Sequence, residues 1–148
     1  MAKNNEQGAV SPELDTMVCD LLDDFLGALA AGEDPGVLLC IEDAHANRYE
    51  AAFTEDGIGA CIEGARHFVE RNAGGLPADA VGPIDRYAIA YAGGVELDGC
   101  FEDAVLVSFY QHGMESGYSA YLLYQGAGAQ DGFMWSDPEP AGAEDPLI

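Results

Sequence analysis

From Leu14 onward, apolar residues recur three and four positions apart: Leu14, Met17, Val18, Leu21, Leu22, Phe25 and Leu29, with Asp20, Asp23 and Asp24 outside the series. That spacing draws one apolar stripe along a helix and leaves the opposite face anionic. Ser11 is placed to cap it, Pro12 suits the first helical position, Glu13 and Asp15 meet the positive end of the peptide dipoles, and Gly32 stops the run. A second stripe, Ile58, Cys61, Ile62, Ala65, Phe68 and Val69, predicts a helix from a cap at Asp56 to about Asn72, where Gly74-Gly75 end it.

Between the helices the pattern changes period. Val37–Ile41 is a short continuous apolar run set between Asp34-Pro35-Gly36 and Glu42-Asp43, which reads as a buried strand. The loop at 43–47 turns it back into a second strand over Arg48–Thr54. Downstream, Asp85–Ala92 alternates strictly, with Tyr87, Ile89 and Tyr91 on one face and Ala88, Ala90 and Ala92 on the other. Ala104–His112 and Tyr118–Gln125 read as two longer strands joined by a hairpin loop at 113–117, and Phe133–Trp135 as a short last strand.

The order α-β-β-α-β-β-β, with a further strand at the end, predicts an α+β fold. Its economical form is a two-layer sandwich: a mostly antiparallel sheet of five or six strands with two helices against it. One such domain is expected over 11–136, preceded by a disordered segment over 1–10 and followed by an acidic, proline-containing tail over 137–148.

The two long strands carry apolar residues on both faces. Val105, Val107 and Phe109 oppose Ala104, Leu106 and Tyr110, and Tyr118, Ala120, Leu122 and Tyr124 oppose Tyr121 and Leu123. With both helices on one side, the other face would expose more apolar surface than a monomer tolerates. The preferred cover is a second copy, a homodimer through the sheet face. The alternatives are one helix on each face, or the segment from Trp135 to Ile148 folded across the sheet.

Charge narrows the partners. The 148 residues hold five Lys and Arg against 27 Asp and Glu, a formal charge of −22, and the cations are Lys3, Arg48, Arg66, Arg71 and Arg86. Phosphate backbones are held mainly by Lys and Arg, so nucleic acid and anionic membrane surfaces are not expected as partners; the acids read first as a solvating surface, and as the second reading a surface open to a basic protein. The first eight residues lack the apolar core of a signal peptide, which points to a cytoplasmic protein. Cys19, Cys40, Cys61 and Cys100 form no C-x-x-C pair and read as reduced, buried thiols.

Candidate chemistry is thin. Glu42-Asp43-Ala44-His45 gathers oxygen and nitrogen donors in one turn but lacks the spacing of a four-ligand metal centre. His67 sits beside an apolar stripe. His112, at a strand end near Glu115, is the best placed of the histidines for proton transfer, yet no nucleophile in a recognisable context accompanies it. No catalytic residue, cofactor or metal is therefore assigned. The expected function is a non-enzymatic association module, a homodimer that also offers acidic surface to a basic partner. Its ligand or partner surface is placed at Tyr110, His112, Tyr121 and Tyr124. The alternative is a small-ligand binder or enzyme with a pocket between sheet and helices, using Tyr110, His112 and Tyr121.

Overall fold

The strict alternation of the 85–92 segment belongs to the central strand of a seven-stranded antiparallel sheet in a computed structural model that describes residues 10–55 and 57–148. The elements run α1 (Pro12–Ala30), β1 (Val37–Asp43), β2 (Arg48–Phe53), α2 (Gly57–Arg71), β3 (Ile84–Leu97), β4 (Cys100–Gln111), β5 (Gly117–Gln125), β6 (Met134–Trp135) and β7 (Glu139–Glu144), with single 3-10 turns at Pro77–Asp79 and Gln130–Gly132. Strand order is β2-β1-β3-β4-β5-β6, and β7 also pairs with β5. The α+β class and the element order are those read from the sequence. Residues 1–9 of the expected disordered segment and the expected cap Asp56 lie outside the described residues.

α1 begins as its sequence dictates: the Ser11 Oγ accepts from the Leu14 N–H at 3.0 Å, and Pro12 occupies the first turn. Leu14, Met17, Leu21, Leu22, Phe25, Leu26 and Leu29 are buried against Cys40, Ala88, Ala90, Val105, Val107 and Leu122. The small residues of β3 let the large side chains of α1 reach the sheet. α2 buries Cys61, Ala65 and Val69 against Val37, Leu39, Ile41, Tyr87 and Ile89, while Ile58, at the far end of its stripe, is exposed. Gly75 ends that connection at φ +113°, with the backbone of Gly82 where a Cβ would sit.

The helices do not share a side. In β3 the alanines face α1 and Tyr87 and Ile89 face α2, so the two-layer description is a loose one for a curled, half-barrel sheet with a helix on each face. The connection explains this. β2 and β3 are both antiparallel to β1, hence parallel to each other, and α2 joins them across β1. Such crossovers take one hand, which fixes the face of α2 whatever α1 does.

The tail enters the assembly as well. β7 pairs with β5 over Gly117–Tyr121, and the chain then turns onto the α2 face, where the Leu147 N–H donates to the Tyr87 hydroxyl at 3.1 Å and Leu147 and Ile148 pack on the second core cluster. The first alternative to a partner copy, a helix on each face, is thus realised, whereas the tail pairs along the β5 edge and only Leu147 and Ile148 reach the α2 face. β3 and β4 also run past the expected boundaries into a long hairpin closed by Asp98-Gly99, both at positive φ. All four cysteines are free, Cys40 and Cys61 buried as expected and Cys19 and Cys100 exposed. Cys19 sits on the wet side of α1 and Cys100 at the hairpin tip, so burial fails where the local pattern is polar. No helix among the described residues is long and apolar enough to cross a membrane.

Candidate functional site

The four residues expected to form one surface are distributed over three places. Tyr110 is buried on the α2 face, its ring 6.1 Å from that of Tyr87 and 6.1 Å edge-on from the exposed His112. Tyr121 shares that face but pairs with Leu106, two side-chain rows from Tyr110, roughly 14 Å along the sheet. Tyr124 points to the α1 face, tilted against Phe133 with centroids 6.0 Å apart, and Phe133 continues to Trp135 at 5.6 Å.

His112 lines a cleft of about 220 Å³ with Asp43, His45, Gly82, Pro83, Ile84 and Asp85. Two imidazoles and two carboxylates line it, the residue types that proton transfer needs. Both carboxylates are already engaged. Asp43 accepts from the backbone N–H groups of His45 (2.8 Å), Asn47 (2.9 Å) and Gly82 (2.7 Å) and from the Asn47 side-chain amide (2.9 Å). Asp85 accepts from the Arg86 guanidinium and the Gln111 amide, each at 3.0 Å. Asp43 therefore closes the β1–β2 loop and ties it to Gly82. No group of three or more His, Cys, Asp or Glu among the described residues is arranged to hold a metal ion.

The Gly82 amide and the Asn47 side chain hold the Asp43 carboxyl well below the usual carboxylate range. A group with a depressed folded pKa contributes stability above its unfolded value of about 3.9 and loses it as pH falls toward the folded value. Stability is accordingly expected to drop more steeply below about pH 4 in the wild type than in Asp43→Asn. Urea midpoints measured from pH 7 to pH 3 check this, and parallel profiles would refute it.

The strongest polar feature was missed in the sequence. On the α1 face, the Arg86 Nε donates to Glu42 Oε1 at 2.7 Å, and the Arg48 Nε donates to Glu42 Oε2 at 2.7 Å and its Nη1 to Asp20 at 3.1 Å. Arg86 is 3% exposed and Glu42 5%. Through Asp85 and Gln111 the chain of bonds reaches Ser11, the cap of α1. A signal existed: Arg86 falls on the same alternation as Ala88 and Ala90 and had to point inward. Two arginines are consumed by four carboxylates here, Glu50 lying 3.6 Å from Arg48 as the fourth besides Glu42, Asp20 and Asp85, so the network is not a receptor for anions.

What remains uncovered is the far half of the α2 face. Across β3, β4 and β5 it presents Leu97 beside Cys100, Val95 beside Glu102, Gly93 beside Ala104 and Leu123, and Tyr91 beside Leu106 and Tyr121, with Met134 at its edge. Leu97, Val95, Tyr91, Leu106, Tyr121 and Leu123 are each half-buried, and Met134 is 59% exposed. Four rows about 7 Å apart, two of them on two strands and two on three strands about 5 Å apart, make roughly 350 Å² of sheet surface. Phe101, at 77% exposure, and Trp135, at 58%, stand at the same end on the α1 side. Tyr121 is the one expected surface residue that lies in this area. No protein-family model matches the chain, and no curated protein or solved structure matches it either.

Proposed function

We propose that the protein is a non-enzymatic association module working through the far half of its α2 face, with a second copy of the chain as the partner. The observation that supports this is the run of half-buried Leu97, Val95, Leu106, Tyr121 and Leu123, interrupted at Glu102, none of which belongs to the cluster packed against α2 and the 145–148 segment. A standard interface needs about 800 Å² per partner. The sheet area supplies under half of that, and the exposed Met134 at its edge adds a residue type enriched at interfaces. Tyr91 and Tyr121 bring large, stiff contact area at little entropic cost, and a two-fold pair would stack each on its counterpart's sheet.

A basic protein partner is the second reading, favoured by charge. The chain carries −22 and ties Arg48 and Arg86 into internal ion pairs. The two readings respond to salt with opposite sign. Copies of like charge repel, and screening over about 8 Å at 0.15 M relieves the repulsion, so self-association tightens as salt rises; attraction to a basic partner weakens. Light scattering at tens of micromolar is expected to give about twice the 15.6 kDa chain mass, more completely at high salt. Leu106→Glu and Tyr121→Glu, which place new carboxylates in the apolar area, are expected to return the mass to that of one chain with the fold intact by circular dichroism. A single-chain mass in the wild type at every salt concentration would overturn self-association.

A further inference from the structure

The 139–148 segment is held by little besides backbone. Of β7 only Glu144 is even half-buried, the ladder to β5 is broken by a register shift between Ser119 and Ala120, and Gly142 takes φ +150°. Besides the ladder, the attachments are the Ser119 hydroxyl on the Gly142 carbonyl at 3.4 Å, the Ser108 hydroxyl on Glu144 at 3.2 Å, the Leu147 N–H on the Tyr87 hydroxyl, and the half-buried side chains of Leu147 and Ile148. Three carboxylates, Glu139, Glu144 and Asp145, ride on it in a chain already strongly anionic.

Its position matters more than its strength. Glu139 is the register partner of Tyr121, at the margin of the bare area, and Leu147 lies over Tyr87. Tyr87 and Tyr110 form a row of the α2 face, separated from Tyr91, Leu106 and Tyr121 only by the Ile89, Ser108 and Ser119 row. The bare area and the area under the segment lie on one sheet face, one row apart, with Ser108 and Ser119 between them and Ile89 buried beneath α2. Burial pushes the Tyr87 hydroxyl up to about 12, so it stays a neutral acceptor for Leu147 across physiological pH.

We propose, resting on the association reading above, that Glu139–Ile148 is a displaceable strap that competes with a second copy for this face. With the strap down, four rows are open; lifted, it uncovers the Tyr87 hydroxyl and Ser108 beside them and frees the outer edge of β5, while Ile89 stays under α2. The strap thereby sets how much of the protein is competent to pair, and apparent affinity scales with that competent fraction.

The test compares the full-length wild type with a Leu147→Asp/Ile148→Asp variant and with Tyr87→Phe, which removes only the hydrogen-bond acceptor. Amide exchange of residues 139–148 reads the strap, and light scattering over a dilution series reads association. Faster strap exchange with self-association tightened about tenfold, the result if the strap is down in nine molecules of ten, is the expected outcome, with Tyr87→Phe intermediate. Faster exchange with unchanged or weaker association would overturn the competition while leaving the association reading intact. Unchanged exchange would overturn the assignment of these contacts as the hold. A single-chain mass for the wild type and both variants at all salt concentrations would instead remove the association reading itself, and the strap's target with it.

Discussion

Arg86→Met is expected to cost about 3 kcal/mol of folding stability, the low end of the 3–5 kcal/mol range for removing one partner of a buried ion pair. The Arg86 and Glu42 side chains are only 4% and 7% accessible, and their 2.7 Å bond is the innermost link of the network. Methionine fills much of the arginine stem's volume, so the loss is mainly the desolvation of a carboxylate stripped of one cation. The low end applies because Arg48 still holds the other oxygen of Glu42, and Asp85 keeps the Gln111 amide. Urea unfolding with an unchanged slope measures it. Glu42→Leu/Arg86→Met, which removes both charges together, is expected to be less destabilised than the two single changes added, because neither charge is then left alone. A loss under about 1 kcal/mol for Arg86→Met would mean that water reaches the pair as it reaches a surface one.

The network also shows what the chain discloses and what it hides. Local signals were sufficient for α1, since Ser11, Pro12 and the 3-4 stripe act within one element and Ser11 caps as its chemistry requires. Leu26 was passed over because it borders the stripe, yet it is buried. The alternation of β3 disclosed two faces correctly, but which helix each face meets depends on the handed crossover from β2 to β3, which no local pattern records. β7 was unreadable for another reason. Glu-Pro-Ala-Gly-Ala-Glu has neither β-branched residues nor alternation, and it joins the sheet because β5 offers an edge, not because the segment prefers to be extended. The dispersal of Tyr110, His112, Tyr121 and Tyr124 follows from the same limit: strand parity separates Tyr124 from Tyr121, and register sets Tyr110 two rows away.

Phe25→Ala tests whether the two faces of the sheet have separate tasks. Phe25 is wholly buried among Leu21, Leu22 and Leu29 and the small residues of β3, so truncation opens a cavity that the sheet cannot close, and a cost of about 3–5 kcal/mol is expected from urea unfolding. The cavity lies on the α1 side, away from Tyr91, Leu106 and Tyr121, so the fraction that remains folded is expected to self-associate with wild-type affinity. Tyr121→Glu is the mirror case: half-exposed on the opposite face, it is expected to change stability by less than about 1 kcal/mol and to abolish pairing. If Phe25→Ala weakened pairing as much as it weakened folding, the α1 face would be part of the association surface. Losses that stay apart, one in stability and the other in affinity, are what a sheet with a structural side and a contact side must give.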